Sequence, residues 1–288
     1  MELKEEQFQS WIGNTETVKD QIRTSPLTAM AAMLDRSPLT DLEALPPLWH
    51  WLFFLKPANQ SELGADGHPE KGDFLPPIDL PRRMWAGSRF QFHHPLFAGD
   101  QIERKSEILN VTIKEGRSGQ LAFVCVGHTL SNQKGPALYE EHDIVYRSGV
   151  SNAASPPPTP APAPKDEDFS RTVNPDPILL FRYSALTFNG HRIHYDREYA
   201  TQVEGYDGLI VHGPLLATLL TDVLLENVPE CELMKFEFKA LSPVFDLNSF
   251  EVCGKKVSDN GEYTLWIRDN EGSLCMQAKA TINIGHKN

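Results

Sequence analysis

The sequence predicts an α+β protein in which one unit, an antiparallel sheet wrapped round a helix, occurs twice. Three observations carry this. A proline-rich run divides the chain, matching segments recur in the same order on either side of it, and apolar residues alternate with period two except in a few helical stretches.

In the first half, residues 1–150, Ser25-Pro26-Leu-Thr-Ala-Met-Ala-Ala-Met-Leu34 predicts a helix with serine and proline at its start. It is expected to be this half's counterpart of the leucine-rich helix in the second half. The apolar run Leu48 to Leu55 is open between a strand and a short helix. Arg89-Phe-Gln-Phe92 alternates as a strand does, Pro95-Leu-Phe97 comes after it, and two strand-like runs come next with turns near Gly119 and Gly135. Residues 151–170 form the linker. Six prolines between Ser151 and Pro164 cannot donate backbone hydrogen bonds and favour an extended, stiff path over a surface.

The second half, residues 171–288, repeats the order. Gly213-Pro214 reads as a cap and first-turn pair, ahead of Leu215, Leu216, Ala217, Leu219, Leu220, Val223, Leu224 and Leu225. So little of that circumference is polar that the helix is expected to be buried. Met234, Phe236, Phe238 and Ala240 alternate with Lys235, Glu237 and Lys239. Pro243-Val-Phe245 matches Pro95-Leu-Phe97, and turns near Gly261 and Gly272 match those near Gly119 and Gly135. Tyr263, Leu265 and Ile267 are expected on one face, with Thr264, Trp266 and Arg268 on the other. Leu274, Met276, Ala278, Ala280, Ile282 and Ile284 alternate likewise. Antiparallel strands round one buried helix are the hot-dog arrangement. Two of them in tandem, diverged from a duplication, predict an intramolecular pseudo-dimer.

The net charge of −12 over 288 residues argues against a nucleic-acid footprint or a basic membrane-binding face. No apolar run approaches the roughly 20 residues needed to span a bilayer. The four cysteines, Cys125, Cys231, Cys253 and Cys275, form no CxxC pair. Reduced cysteines and a start without a leader pattern, Met1-Glu-Leu-Lys-Glu-Glu6, lead us to expect a cytoplasmic protein.

The chemistry gathers in Ser184-Ala-Leu-Thr-Phe-Asn189-Gly-His191-Arg-Ile-His194-Tyr-Asp196-Arg-Glu-Tyr-Ala200 and in Gly208-Leu-Ile-Val-His212-Gly213-Pro214. A histidine, an amide side chain and a free helix start are parts for acting on a polarised carbonyl. Asp196 is open to two roles, a reacting carboxylate or the N-cap before Arg197-Glu-Tyr-Ala. His191 and His194 have a spacing seen in metal sites, but nothing completes a ligand set, so no metal is expected.

The spacing Asn189-x4-His194-x5-Ala200 is similar to the signature of MaoC-like enoyl-CoA hydratases. His194 falls on that family's catalytic histidine and Ala200 on its small residue, while Asn189 stands where the family has aspartate. Phe188-Asn-Gly-His-Arg-Ile-His-Tyr-Asp196, together with Pro46-Pro-Leu-Trp-His-Trp51 and Met84-Trp-Ala-Gly87, resembles a two-hot-dog subgroup. That subgroup holds mesaconyl-C4-CoA and itaconyl-CoA hydratases and the mitochondrial 3-hydroxyacyl-thioester dehydratases.

The resemblance implies a hydro-lyase acting on an acyl-CoA, with no further cofactor. His194 would serve as acid and base and Asn189 would position the water. The amides of Gly213 and Leu215 would steady the thioester oxygen, with His212 a substrate neighbour. The first half would carry no chemistry and would complete the acyl tunnel. A dicarboxylic acyl group would want an arginine, for which Arg82, Arg83, Arg89, Arg182 and Arg192 are candidates. A fatty-acid dehydratase, a thioesterase and a non-catalytic acyl-CoA-binding protein stand as alternatives. Two pseudo-dimers could associate further.

Overall fold

The computed structural model describes residues 3–40, 42–69, 74–116, 119–147 and 160–284. Ten strands form one sheet. In chain order the elements are β1 (Thr15–Gln21), α1 (Thr24–Met33), β2 (Arg82–Phe92), β3 (Gln101–Gly116), β4 (Gly119–Asn132), β5 (Gly135–Arg147), β6 (Phe169–Val173), α2 (Pro177–Leu186), α3 (Gly213–Asn227), β7 (Cys231–Ala240), β8 (Phe250–Ser258), β9 (Glu262–Arg268) and β10 (Leu274–Ile284). The sheet order is β1-β3-β4-β5-β2-β7-β10-β9-β8-β6. From the middle outward, each half gives the same succession of strands. β2 and β7 meet antiparallel, with Ser88 opposite Phe238 and Phe90 opposite Phe236. Equivalent strands paired head to tail are what a two-fold axis between like subunits produces. The Phe90, Phe236 and Phe238 rings close this seam, with centroids 5.9 and 6.3 Å from Phe90.

The turns come out as expected from local chemistry. Gly119, Gly135, Gly261 and Gly272 all have φ between +80° and +106°, a conformation that costs a side-chain-bearing residue energy and glycine little. α3 is buried from Leu215 to Leu224 and packs on β6, β7, β8 and β9. Each leucine it removes from water contributes about 1.5–3 kcal/mol. Its one buried charge, Asp222, is matched by Arg36 at 2.7 Å and Arg171 at 2.8 Å, so the carboxylate is not left unpaired. The cap lies one residue earlier than expected: His212 is the N-cap and Gly213 the first helical residue.

Several expectations need correction. α1 is not the counterpart of α3. It comes after β1 as α2 comes after β6, and it packs against α2. Its cap also differs from the expected serine start: Arg23 occupies that position and makes no side-chain cap bond. Among the described residues, no α-helix stands between α1 and β2, where α3's equivalent would lie. The apolar run there makes only a 3-10 turn, Trp49–Leu52, flanked by Leu48 at φ 69° and Phe54 at φ 58°. The left-handed backbone at Leu48 breaks the helical path before the turn and extended Phe53 ends it after.

Met234 points outward at 38% exposed, and Leu233 is buried in its place. The register against β10 slips between Thr281 and Ile282, and such a bulge flips every residue beyond it to the other face. Trp266, expected outside, is 2% exposed. The end of the linker covers it. The Ala163 amide donates to the Gly272 carbonyl at 2.9 Å and the Leu274 amide to the Ala161 carbonyl at 2.8 Å, which sets Ala163 beside Trp266 and Cys253. Arg268, also expected outside, is covered too and pairs with Glu167 and Glu251. The rest of the proline-rich run, residues 151–159, lies outside the described residues.

Candidate active site

The segment after α2 is shaped by its own side chains. Phe188 takes φ 51°, and the Asn189 amide donates to the Ser184 carbonyl at 2.8 Å, closing the helix. Asn189 Oδ1 then accepts the His191 amide at 3.0 Å, an Asx turn. A 3-10 turn, Arg192–His194, buries Ile193 and His194. Asp196 caps the helical turn that begins at Arg197. Its Oδ1 accepts the Tyr199 amide at 3.0 Å and its Oδ2 takes the Arg192 guanidinium at 2.7 Å. Of the two roles open to it, the cap is the one this geometry displays. Ala200 is fully buried, where a larger side chain would have no room.

His194 Nδ1 meets the Ile210 carbonyl at 2.7 Å. A carbonyl only accepts, so Nδ1 carries the proton and Nε2 keeps the lone pair. The His194 ring stacks on His212, 3.7 Å between centroids at 19°. His212 Nε2 reaches Ser184 Oγ at 2.8 Å, and its Nδ1 is buried without a partner. His212 also caps α3, so the stack stands at that helix's start. The Gly213 and Leu215 amides lie in the first turn, where no intrahelical acceptor exists. A Cβ added at Gly213 would meet nothing within 4 Å, which leaves open space beside those donors.

Burial pushes the His194 imidazole down to about 4, with the Ile210 hydrogen bond opposing it. Burial, followed by the charges of His68 and His194, pushes His191 down to about 3. Burial holds His212 well below the ordinary histidine value. All three rings are therefore neutral near pH 7.

The structure brings together His194, His212 and the Gly213 and Leu215 amides, with Asn189 attached through His191, whose ring stands edge-on to His194 at 5.5 Å. It also brings in two residues that sequence reasoning missed. Asp66 and His68, from the first half, lie against this segment, with the His68 ring 4.0 Å from that of His191. No periodicity or motif marks them; the one local sign is the turn Gly64-Ala-Asp-Gly67. Asp66, His68 and His191 offer donor atoms within 4.8 Å of one another, close enough for a divalent cation to bridge. Both Asp66 oxygens, however, are already engaged on His68: Oδ1 with its amide at 3.0 Å and Oδ2 with Nδ1 at 3.2 Å.

The five arginines separate. Arg82 pairs with Glu204, Arg89 with Glu141 and Asp143, and Arg192 with Asp196, while Arg182 is exposed on α2. Among the described residues, Arg83 has no carboxylate at ion-pair distance, and its charge acts on His191. In the first half a cavity of about 600 Å³ is lined by Lys56, Phe74, Arg104, His128 and His142. Beside it, buried Glu140 binds His50 at 2.9 Å, Trp51 Nε1 at 3.1 Å, and His142.

Comparison with known proteins gives the family and the fold. Residues 48–246 match the family profile described as hydroxyacyl-thioester dehydratase type 2. The chain is 48% identical over 281 residues to a mesaconyl-C(4)-CoA hydratase of Chloroflexus aurantiacus, covering 96% of this chain and 98% of that one. A MaoC-like dehydratase structure from Phytophthora capsici superposes with a TM-score of 0.71 at 15% identity, over 94% of this chain and 95% of that one. A conserved hypothetical protein of Mycobacterium tuberculosis, described as a double hot-dog fold, gives 0.58 at 12% identity, over 94% and 96%. This chain, a double hot-dog in its architecture, belongs to the hydroxyacyl-thioester dehydratase type 2 family.

Proposed function

We propose that this protein adds water to a short, branched dicarboxylic enoyl-CoA, mesaconyl-C4-CoA or itaconyl-CoA, to give citramalyl-CoA. The observation that carries the reading is His194: buried, fixed by the Ile210 carbonyl and stacked at the start of α3. Its Nε2 lone pair takes the proton of a water. As the water oxygen bonds to the β-carbon, negative charge grows on the thioester oxygen, and the Gly213 and Leu215 amides stabilise it with the positive end of the α3 dipole. Asn189 cannot take a proton at neutral pH; its amide orients the water. The likeness to the Chloroflexus enzyme supports the dicarboxylic substrate. Arg83 is the arginine that meets the second carboxylate.

On this reading the second half carries the base and the helix start, and the first half completes the pocket. The family profile favours a second reading, dehydration of a linear 3-hydroxyacyl thioester by the same groups in reverse. Incubation with mesaconyl-C4-CoA, itaconyl-CoA and a linear 3-hydroxyacyl-CoA separates the two, and turnover of the linear substrate alone overturns the first. A dead, acyl-CoA-binding site would turn over none of them. No described helix is long and apolar enough to cross a membrane. A cytoplasmic location and a pairing of two pseudo-dimers complete the proposal.

A further inference from the structure

The loop Leu63–Pro69 belongs to the first half, yet it is built onto the site of the second. Gly67 sits at φ +85°, and a Cβ there would stand 2.1 Å from the Gly190 carbonyl oxygen; one on Gly190 would stand 2.8 Å from the Gly67 oxygen. Only a pair of glycines allows two backbones to approach so closely. The Arg192 amide donates to the Asp66 carbonyl at 2.9 Å, and its guanidinium to the Ala65 carbonyl at 2.9 Å. This docking delivers an imidazole with a carboxylate behind it. Burial works against the Asp66 carboxylate, but hydrogen bonds from the His68 ring and amide outweigh it and keep the group ionised. Facing an ionised carboxylate, Nδ1 must donate, so Nε2 is the position from which His68 exchanges a proton. The rings His68, His191, His194 and His212 then succeed one another at 4.0, 5.5 and 3.7 Å.

We propose that His68, positioned by Asp66, is the proton donor of the hydration site whose base is His194, so that the reacting groups are shared between the two halves. The proposal rests on the hydration reading of His194. Asp66 Oδ2 fixes His68 Nδ1 as the donor, which leaves Nε2 as the atom that can take a proton and hand it on. In the forward step the water O–H bond breaks and its proton goes to His194 Nε2. The water oxygen bonds to the β-carbon, and the electron pair of the double bond moves toward the thioester oxygen. The His194 imidazolium passes its proton to His68 Nε2, through His191 or solvent, and the electron pair returns as the α-carbon takes that proton from Nε2. One water is consumed and both rings regain their starting states. With both Asp66 oxygens held by His68, the cluster works as a proton pair and not as a cation site.

The test measures hydration of mesaconyl-C4-CoA by His194→Gln, His68→Gln, Asp66→Asn and Gly67→Ala, alongside the metal content and melting temperature of the unmodified protein and of each variant. We expect His68→Gln to lower kcat about 100-fold and Asp66→Asn about 10-fold, each with KM within threefold. Gly67→Ala keeps both side chains but displaces the loop, and should lower kcat at least 10-fold. The His194→Gln, His68→Gln double variant should be little slower than His194→Gln alone, as groups acting in one step are. If His194→Gln loses activity while His68→Gln keeps kcat within threefold, the pair proposal fails and the hydration reading stands. If His194→Gln itself keeps its activity, the hydration reading fails. One tightly held metal per chain that His68→Gln releases would overturn the proton pair in favour of a metal centre.

Discussion

The two halves share one topology and fill it in opposite ways. In the second half the concave face receives α3, apolar on nearly every side, and His194 and His212 stack at its start. In the first half the equivalent face receives the 3-10 turn Trp49–Leu52, a buried Glu140 with His50, Trp51 and His142 around it, and a cavity. A leucine helix stabilises by removing apolar area from water and tolerates no void. A carboxylate network stabilises only while every partner is in place, but it can border an open space. A duplicated sheet, once one copy carries a reactive site, can thus give up the helix of the other for volume.

The division of labour between the halves is tested hardest at His194. His194→Ala should lower kcat for mesaconyl-C4-CoA by about 10³-fold with the fold intact, read by loss of enoyl-thioester absorbance against thermal melting. Full activity would remove the second half's claim to the chemistry. Arg83→Met should raise KM for the dicarboxylic substrate by about 10- to 100-fold and leave a linear enoyl-CoA nearly unaffected, since only the former loses a charge-assisted hydrogen bond. Equal effects on both substrates would place the carboxylate elsewhere.

Glu140→Gln tests the first half. It should cost about 3 kcal/mol in urea unfolding at pH 7, because one of two buried acceptor oxygens becomes an NH2 facing the donors around it. Burial alone would raise the Glu140 carboxyl, but the charge and hydrogen bonds of His142 and His50 hold it well below the usual range. Its contribution is therefore present above the ordinary glutamate value and lost as pH falls through the depressed one. The variant's stability should fall less steeply than that of the unmodified protein on acidification below about pH 4.5.

The pH dependence of the reaction probes the same contrast from the other side. His194 must be neutral to act as base, and its value lies at about 4. The acid limb of kcat should thus fall through about pH 4 instead of near 6.5. The smallest effect is expected at Asn189→Asp, within about threefold in kcat, because the side chain's visible work is the Asx turn to His191 and an aspartate oxygen accepts that bond equally well.

Much of this architecture is legible residue by residue. Gly119, Gly135, Gly261 and Gly272 announce their turns because a left-handed backbone needs glycine wherever it occurs. Phe236 and Phe238 announce their face because alternation is a property of the strand itself. His194 is legible through the spacing around it. Trp266 is not: its face is decided by the linker that returns to cover it. Met234 is not, because the bulge that turns it out exists only in register with Thr281 and Ile282. The helix expected at Ser25–Leu34 is a real helix, but its partner is α2, and order along the chain showed that where cap style misled.

The turns, most strand faces, the buried helix and the histidine at its start are written in the amino-acid order, because each depends on neighbours within a few residues. Tertiary packing alone lays Gly67 on Gly190, so that Asp66 and His68 stand beside His191. It likewise sets Arg83, which has no carboxylate at ion-pair distance among the described residues, near His191. Contacts between distant segments are fixed by how whole surfaces pack, and no period or motif in either segment records the other.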